Sequence, residues 1–276
     1  AFTLSQDQTL QRKTPEGVGC RSLPDSRAFK IPRRFNRRNI ECTKGGGICQ
    51  DGGMLDLLVV VPHPDDETFG AGGALLLAKA EGLRTGILTL TRGEVGRTLG
   101  LCAPEELPEV RLQELERAGE VLGVDHLEAL SFPNALPEGA EAAPRGKATG
   151  EGLAQHPEAK EAIRERLLRL RPRFVLTFPP DGINGHPDHV ATSRYVAEAA
   201  AGLAQPVYFV RPEGPYPITH RLRLPEWALK RKLQALAQHK TQALSILAFM
   251  ERHPERLWTE TFHLPGSQGE KEGPWW

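Results

Sequence analysis

Two short clusters of side chains could bind a metal ion and move protons. Each contains a His-Pro-Asp sequence, and together they supply these titratable groups: His63, Asp65, Asp66, Glu67, His186, Asp188 and His189. Imidazole nitrogens and carboxylate oxygens are both ligands that Zn2+ accepts. A catalytic zinc ion keeps three protein ligands and leaves one position open for water. The two clusters therefore indicate a hydrolytic metal site.

The first cluster supplies two ligands and a base. His63 and Asp66 lie three positions apart on a tight turn, where an imidazole and a carboxylate can converge on one divalent cation. Asp65 lies between them and would point in another direction, where it could take a proton from a water molecule. The third ligand must come from elsewhere, and the densest other cluster is at residues 181–189.

Each cluster follows a short apolar run that is typical of a buried strand. Residues 57–61 and 174–178 are too short for helices, and each run is followed by turn residues and then by a helical pattern, from 74 and from about 190. Buried parallel strands read as continuous apolar runs. The sequence therefore predicts an α/β fold, a Rossmann-like three-layer sandwich with a mostly parallel sheet. Ligands bind at the carboxyl ends of such strands, where both clusters lie.

The two motifs resemble those of a known enzyme family. The residues that carry the resemblance are His63-Pro64-Asp65-Asp66-Glu67 and Gly185-His186-Pro187-Asp188-His189. They are similar to the motifs of the PIG-L/LmbE-like zinc-dependent N-deacetylases, which act on N-acetylglucosaminyl conjugates. The resemblance covers residues 54–264 and implies the same reaction class here.

The resemblance also implies a role for each motif residue. It makes three residues the zinc ligands: His63, Asp66 and His189. It makes Asp65 the general base. His186 would stabilise the oxyanion or protonate the leaving amine, and Asp188 would orient a histidine.

Candidate substrate contacts come from the same resemblance: Arg92, Glu94, Asn134 and Asn184. Arg92 suits a carboxylate or phosphate and Glu94 suits sugar hydroxyls, although a solvated turn with an internal ion pair is the alternative. Relatives often carry an aspartate where this chain has Asn134, and an aromatic hydroxyl just before the second motif. Asn184 can donate a hydrogen bond there but cannot supply an acidic proton.

The segment of Lys232, His239 and Gln242 is similar to a C-terminal Lys…His-x-Gln segment of the same family. The alternative is that these side chains are solvated helix ends. No pattern in the sequence decides between the two interpretations.

The function that the resemblance implies is removal of an N-acetyl group from a small sugar conjugate, such as N-acetylglucosaminyl-malate or N-acetylglucosaminyl-inositol. Zn2+ is the expected cofactor, with Fe2+ as an alternative. A metal-dependent phosphohydrolase and a non-catalytic metal- or sugar-binding module remain open. So do two simpler interpretations, in which Asp66 or Thr68 only caps a helix, or Gly70, Gly72 and Gly73 present N–H groups to an anion.

Composition excludes several classes of partner. The 276 residues carry 35 basic and 35 acidic side chains, so no basic excess indicates nucleic acid. No run approaches the roughly 18 apolar residues of a membrane span. Four cysteines without a Cys-x-x-Cys motif suit a reducing cytoplasm. The sequence does not decide between a monomer and a homo-oligomer.

Residues 1–53 differ from the rest of the chain. They hold ten basic against five acidic residues and show no apolar periodicity. We expect a basic, poorly ordered N-terminal extension, followed by a single α/β deacetylase-like domain over 54–276 that starts at Met54. The alternative is that the basic patch at 33–38 contacts an acidic partner or a membrane surface. Residues 135–155 predict a long loop.

Overall fold

The computed structural model describes residues 54–136 and 152–276. The expected N-terminal extension and residues 137–151 of the expected long loop lie outside the described residues. Within the two described ranges, no helix combines the length and apolar character that crossing a membrane requires.

Five parallel strands form the centre of the sheet. They are β1 (Leu57–Val61), β2 (Thr85–Thr89), β3 (His126–Ala129), β4 (Phe174–Thr177) and β5 (Gln205–Phe209). Their order is β3-β2-β1-β4-β5, and every neighbouring pair is parallel. The strand order reverses between β1 and β4, which opens a crevice at their carboxyl ends. The predicted Rossmann-like sheet is therefore confirmed.

Three further strands extend the sheet beyond β5. They are β6 (His220–Arg223), β7 (Thr259–His263) and β8 (Lys271–Glu272). Strand β7 runs antiparallel to both β5 and β6, and β8 runs parallel to β6. No sequence pattern predicts β6 and β8, because both are short and mostly polar and so lack the apolar period of a strand.

Helices cover both faces of the sheet. They are α1 (Asp66–Ala80), α2 (Leu107–Leu122), α3 (Glu158–Leu170), α4 (Pro187–Ala200), α5 (Glu226–Leu236), α6 (Ala243–Arg252) and α7 (Glu255–Trp258). Helices α1, α2 and α5 pack on the face that carries Val59, and α3 and α4 pack on the face that carries Val60. The result is the predicted three-layer sandwich.

Two helices begin earlier than their sequence patterns indicate. Helix α1 begins at Asp66, so the glycines at 70, 72 and 73 lie inside it, and α4 begins at Pro187. At position 73 an added Cβ would lie 2.5 Å from the Leu224 side chain and 2.8 Å from Glu260 Oε1, so glycine fits there without displacing either. These glycines therefore permit close packing and do not present a helix start to an anion. Asp66 and His189 consequently stand on the first turns of two helices.

A buried ion pair is inserted against the middle of α1. The Glu260 carboxylate accepts hydrogen bonds from the N–H groups of Gly73 and Ala74, at 2.6 and 2.8 Å. Lys232 pairs with Glu260 at 2.7 Å and also donates to the Phe69 carbonyl at 3.4 Å. A buried charge pair is tolerated only when its remaining hydrogen-bonding groups are also used. The pair therefore fastens α1 to α5 and β7.

A second charged group joins β3 to α3. The Glu128 carboxylate accepts hydrogen bonds from Arg166 at 2.9 Å and from Arg169 at 2.6 Å. Burial acts to raise the pKa of Glu128, but His126, Arg166 and Arg169 outweigh it and lower the pKa to about 2. The ionised form of Glu128 is therefore stabilised in the folded protein.

Replacing Glu128 with glutamine is expected to lower the free energy of unfolding by about 1 kcal/mol at pH 7. An ordinary glutamate pKa is 4.5, so this contribution is complete above that pH and disappears as the pH falls toward 2. Urea unfolding of both proteins at pH 7 and pH 3 measures the change. Glu165→Gln is the matched control, because Glu165 also bonds Arg166 but is exposed, and it should have little effect. A Glu128→Gln deficit that does not shrink at low pH would contradict the assignment.

Candidate active site and metal centre

The turn after β1 brings His63 and Asp66 face to face. The His63 N–H donates to Asp66 Oδ2 at 3.1 Å, and His63 Nδ1 lies 3.2 Å from the same oxygen. The residue before the first turn of α1 is Asp65, whose side chain makes no capping hydrogen bond. Asp66 therefore faces the site and does not cap the helix.

The turn after β4 holds His189 from two sides. Its Nδ1–H donates to the Gly182 carbonyl at 3.1 Å, and its ring stacks on Phe178 with centroids 3.9 Å apart. Gly182 has a φ of 64°, and a side chain at this position would overlap the backbone of Val190 and the Cβ of His189. This geometry leaves His189 Nε2 facing the turn after β1, 3.6 Å from Asp66 Oδ2.

The two turns meet around one point. One ligand atom each from His63, Asp66 and His189 lies within 4.8 Å of the others. Tetrahedral ligands at about 2.0–2.1 Å from a zinc ion would be about 3.3 Å apart. The distances of 3.2 and 3.6 Å from Asp66 Oδ2 match this separation. Two nitrogens and one oxygen therefore fit a catalytic zinc ion in both type and spacing.

In His63 and His189, the ring nitrogen that is not directed at Asp66 also makes a hydrogen bond. His63 Nε2–H donates to Asp188 Oδ2 at 3.0 Å, just as His189 Nδ1–H donates to Gly182. Asp188 is fully buried and also accepts the N–H groups of Ala135 at 2.8 Å and Leu153 at 2.9 Å. Such outer partners fix the tautomer and direction of a metal-binding imidazole. Asp188 thus contacts His63, while its role stays a prediction.

A second possible group consists of His63, His186 and Asp188, whose ligand atoms also lie within 4.8 Å of one another. Asp188 already accepts three hydrogen bonds, one of them from His63 Nε2. The geometry therefore favours the group that contains Asp66.

Asp65 lies between two candidate ligands in the chain but belongs to neither possible metal group, and its Oδ2 lies 3.5 Å from the Arg111 guanidinium. Burial raises the pKa of Asp65 to about 7, with Asp66 and Glu67 adding to the effect and Arg111 opposing it. A general base works best when its pKa lies near the operating pH. The environment of Asp65 is therefore suited to proton transfer.

His186 lies against both candidate imidazole ligands. Its ring centroid is 4.9 Å from that of His63 and 4.8 Å from that of His189. The N–H of Asp188 donates to His186 Nδ1 at 3.2 Å, so the proton of the neutral ring is on Nε2. Burial, followed by the charges of His63 and His189, lowers the pKa of His186 to about 4. His186 can therefore act as a neutral hydrogen-bond donor.

Two of the four predicted substrate residues come together at the carboxyl ends of β2 and β3. Glu94 Oε1 accepts the N–H of Asn134 at 2.7 Å. The Asn134 side chain is buried, and its Oδ1 has no hydrogen-bond partner among the described residues. This amide is therefore available to a ligand, and its contact with substrate stays a prediction.

The other two predicted substrate residues are more exposed. Arg92 is about one-third exposed and lies 3.7 Å from the exposed Glu109, so this ion pair is weak. Asn184 Oδ1 accepts the N–H of His186 at 3.1 Å, so it braces the turn that follows β4. Substrate contacts for both remain predictions.

Arg111 was missed by the sequence analysis. It is buried in α2, where it donates to the carbonyls of Pro64 and of Gly93, the latter at 3.1 Å, and lies 3.5 Å from Asp65 Oδ2. A signal existed, because Arg111 is four residues from both Leu107 and Leu115 on the apolar side of the helix. A charge on that side requires buried partners.

The C-terminal Lys…His segment is also buried. Lys232 and His239 are fully inaccessible, so the interpretation as solvated helix ends is wrong for both. His239 Nε2–H donates to the buried Glu67 at 2.9 Å. Gln242 is half-buried, and its side-chain amide donates to Thr241 Oγ1 at 3.1 Å. Lys232 and His239 thus hold the first turn of α1, through the Phe69 carbonyl and the Glu67 carboxylate.

Replacing Gly152 with alanine is expected to lower the free energy of unfolding by about 2–3 kcal/mol. Gly152 has a φ of 49°, and a methyl group there would overlap the Ala135 backbone and the Asp188 carboxylate. Gly82→Ala is the matched control, because φ is 84° but no atom lies within 4 Å, so only the backbone strain of about 1 kcal/mol remains. Urea unfolding measures both variants, and equal losses would contradict the expected crowding at Asp188.

The family model described as PIG-L, GlcNAc-PI de-N-acetylase, matches residues 58–200, which is more than half of the chain. The chain belongs to the PIG-L family. The matched range includes both His-Pro-Asp motifs of this PIG-L protein, and the resemblance inferred from them is confirmed.

Individual relatives agree with this assignment. A 1D-myo-inositol 2-acetamido-2-deoxy-alpha-D-glucopyranoside deacetylase of Nocardia farcinica is 35% identical over 157 residues, covering 54% of this PIG-L chain and 53% of the relative. The chain thus spans about half the length of that relative. A probable N-acetyl-alpha-D-glucosaminyl L-malate deacetylase of Bacillus anthracis is 29% identical, covering 74% of this chain and 89% of its own.

A solved structure shares the fold. A conserved protein from Thermus thermophilus superposes with a TM-score of 0.61 and 29% identity. The superposition covers 79% of this PIG-L chain and 98% of that protein. The fold of the described residues is therefore one already seen by experiment.

Proposed function

We propose that this protein is a metal-dependent hydrolase that removes the N-acetyl group from an N-acetylglucosaminyl conjugate. The observation that carries the proposal is the convergence of two imidazoles and a carboxylate, with the separate buried carboxylate of Asp65 beside them. Membership of the PIG-L family and the deacetylase names of the relatives support the same reaction.

We propose Zn2+ as the cofactor, with Fe2+ as the alternative divalent ion. The residues that would hold it are His63, Asp66 and His189, whose nitrogen and oxygen donors suit this ion. A divalent ion bound there would polarise the amide carbonyl and lower the pKa of water from about 15.7 toward about 7.

Asp65 would act as the general base. Its carboxylate takes the proton of the attacking water and later returns a proton to the leaving amine, which makes the departing sugar amine neutral. The raised pKa of about 7, caused first by burial, keeps a large fraction of Asp65 ionised at neutral pH and still allows it to hold a proton during the reaction.

His186 would stabilise the negative charge that develops on the carbonyl oxygen. Its Nδ1 accepts the Asp188 N–H, so Nε2–H is the donor that remains for the substrate. A neutral donor needs no proton transfer to perform this role. Acetate and the free amine are the products.

The loops after β2 and β3 would bind the rest of the substrate. Glu94 and Asn134 lie together and offer a carboxylate and an unpartnered amide oxygen, which suit sugar hydroxyls. Arg92, which is only weakly paired, suits a carboxylate or phosphate on the group attached to the sugar. The Bacillus relative is named for a malate conjugate, which carries such carboxylates.

Acetate release from N-acetylglucosaminyl-malate and N-acetylglucosaminyl-inositol tests the proposal directly. We expect acetate and a free amine in equal amounts, loss of activity with a chelator, and recovery with Zn2+ or Fe2+. A p-nitrophenyl phosphate reaction run beside them separates the phosphohydrolase alternative. Phosphate release without acetate release would refute the deacetylase, and metal binding without turnover of any substrate would indicate a binding module.

A further inference from the structure

The peptide bond between Pro64 and Asp65 is held at both of its polar ends by buried charged side chains. The Pro64 carbonyl accepts a hydrogen bond from the Arg111 guanidinium. The Asp65 N–H donates to Glu67 Oε2 at 2.8 Å. A single peptide plane thus lies between a cation on α2 and an anion on the first turn of α1.

This peptide plane holds Asp65 in a backbone conformation that aspartate rarely adopts. Asp65 has a φ of 116° and a ψ of −35°. Turning the plane of the Pro64–Asp65 peptide by half a turn would bring φ to about −60°, a value that all residues adopt easily. After such a turn, however, the Pro64 carbonyl would face the Glu67 carboxylate and the Asp65 N–H would face the guanidinium. Arg111 and Glu67 therefore favour only the observed orientation.

Both charged side chains are themselves held. Glu67 Oε1 accepts hydrogen bonds from Thr68 Oγ1 at 2.6 Å and from His239 Nε2 at 2.9 Å. Arg111 also donates to the Gly93 carbonyl at 3.1 Å. Buried charges with several fixed partners are rigid, so each can hold its end of the peptide firmly.

We propose that Arg111 and Glu67 are positioning residues that clamp the Pro64–Asp65 peptide and thereby set the direction of the Asp65 carboxylate. The catalytic consequence rests on the proposed function of Asp65 as general base. Because φ determines where the Cβ of Asp65 points, a released peptide would turn this carboxylate away from the water that it must deprotonate. Neither Arg111 nor Glu67 belongs to the candidate ligand set, so the metal site should survive their replacement.

The first test measures strain without any substrate. Asp65→Gly and Asp65→Ala both remove the carboxylate. Glycine tolerates a positive φ and alanine does not, whereas at an ordinary φ alanine is the more stable because its unfolded chain is less flexible. We expect Asp65→Gly to be the more stable by about tenfold in the unfolding equilibrium constant, measured in urea. In an Arg111→Met background, where the peptide can turn, this ratio should fall to about one or below.

An Asp65→Ala variant that is as stable as Asp65→Gly would overturn the proposal, since no strain would then be held. A tenfold ratio that persists in the Arg111→Met background would overturn the role of Arg111. If Arg111→Met does not fold, Arg111→Lys replaces it, because an ammonium keeps the charge but lacks the rigid fork with which two guanidinium nitrogens reach the two carbonyls. In the Arg111→Lys background, the stability ratio between Asp65→Gly and Asp65→Ala should fall at least about twofold. An unchanged ratio would overturn the proposed clamp.

The second test uses catalysis and a conservative rescue. Glu67→Met removes every acceptor, and we expect kcat to fall at least about tenfold, with KM within about twofold and an unchanged metal content. Glu67→Gln should recover most of the activity, since its amide oxygen can accept the Asp65 N–H while its NH2 group faces a neutral His239. Arg166→Met is the matched control, a half-buried arginine of α3 that pairs with Glu128, and kcat should not change.

The proposal would be overturned if kcat fell in proportion to lost stability in all three variants, Glu67→Met, Glu67→Gln and Arg166→Met. Glu67 would then have a merely structural role. A fall in metal content in Glu67→Met would also contradict it. The stability comparison at Asp65 needs no substrate, so failure of the deacetylase assignment and failure of the clamp give different results.

Discussion

Asp65→Ala is expected to lower kcat at least about a hundredfold while the metal content of the purified protein stays unchanged. A positioned general base typically contributes about 10²–10⁴-fold to the rate, and the ligand set lies on the neighbouring residues and on α4. Burial raises the pKa of Asp65 to about 7, so the residue is suited to proton transfer, and the candidate ligand group already has three members without it. Acetate release and elemental analysis measure the two quantities.

The control for this experiment is Asp65→Asn, which keeps the shape of the side chain but removes its negative charge. We expect Asp65→Asn to be as inactive as Asp65→Ala, because an amide cannot accept the proton. Full activity in either variant would refute the assignment of the base. A parallel loss of metal would instead make Asp65 a ligand.

His189→Ala is expected to release the metal. Changing only an outer partner of a ligand typically lowers metal affinity about 10–100-fold, so removal of the ligand itself should cost more than about a hundredfold. The His189 ring is held by Gly182 and Phe178 with Nε2 turned toward Asp66, a position that the neighbouring His186 ring does not occupy. Titration of the metal-free protein with Zn2+ measures the change.

His186→Ala provides the comparison. We expect this variant to bind metal normally and to lose about 10²–10³ in kcat, the usual effect of removing one donor to a developing negative charge. The opposite pattern, with metal lost in His186→Ala and kept in His189→Ala, would assign the metal to the group of His63, His186 and Asp188.

The centre of the sheet and the place of the site followed from local sequence. Strands β1 and β4 are continuous apolar runs, and the residues that follow them meet because neighbouring parallel strands end at the same edge. Each motif spans nine residues or fewer, so the local sequence is enough to predict that its side chains lie together on one turn.

What could not be predicted depends on contacts between distant segments. The start of α1 was placed too late because its glycines resemble a turn, and only the close packing of Phe209, Leu224 and Glu260 explains them. Arg111 lies 47 residues from the carbonyl that it holds and His239 lies 172 residues from Glu67, and no local pattern reports such distances. The short polar strand β6 has no apolar period that marks it, and its partner β7 follows much later in the chain.

The buried ion pair of Lys232 and Glu260 shows that the folded domain extends beyond the segment that the family model matches. The family match ends at residue 200, and every candidate metal ligand lies before that point. A protein shortened to that boundary would keep the ligands but lose Glu260 from the amides of Gly73 and Ala74, and His239 from Glu67. Unbonded amides and an unpaired buried carboxylate cost several kcal/mol together, so the half of the chain that carries the candidate ligands depends on a C-terminal segment outside the family match.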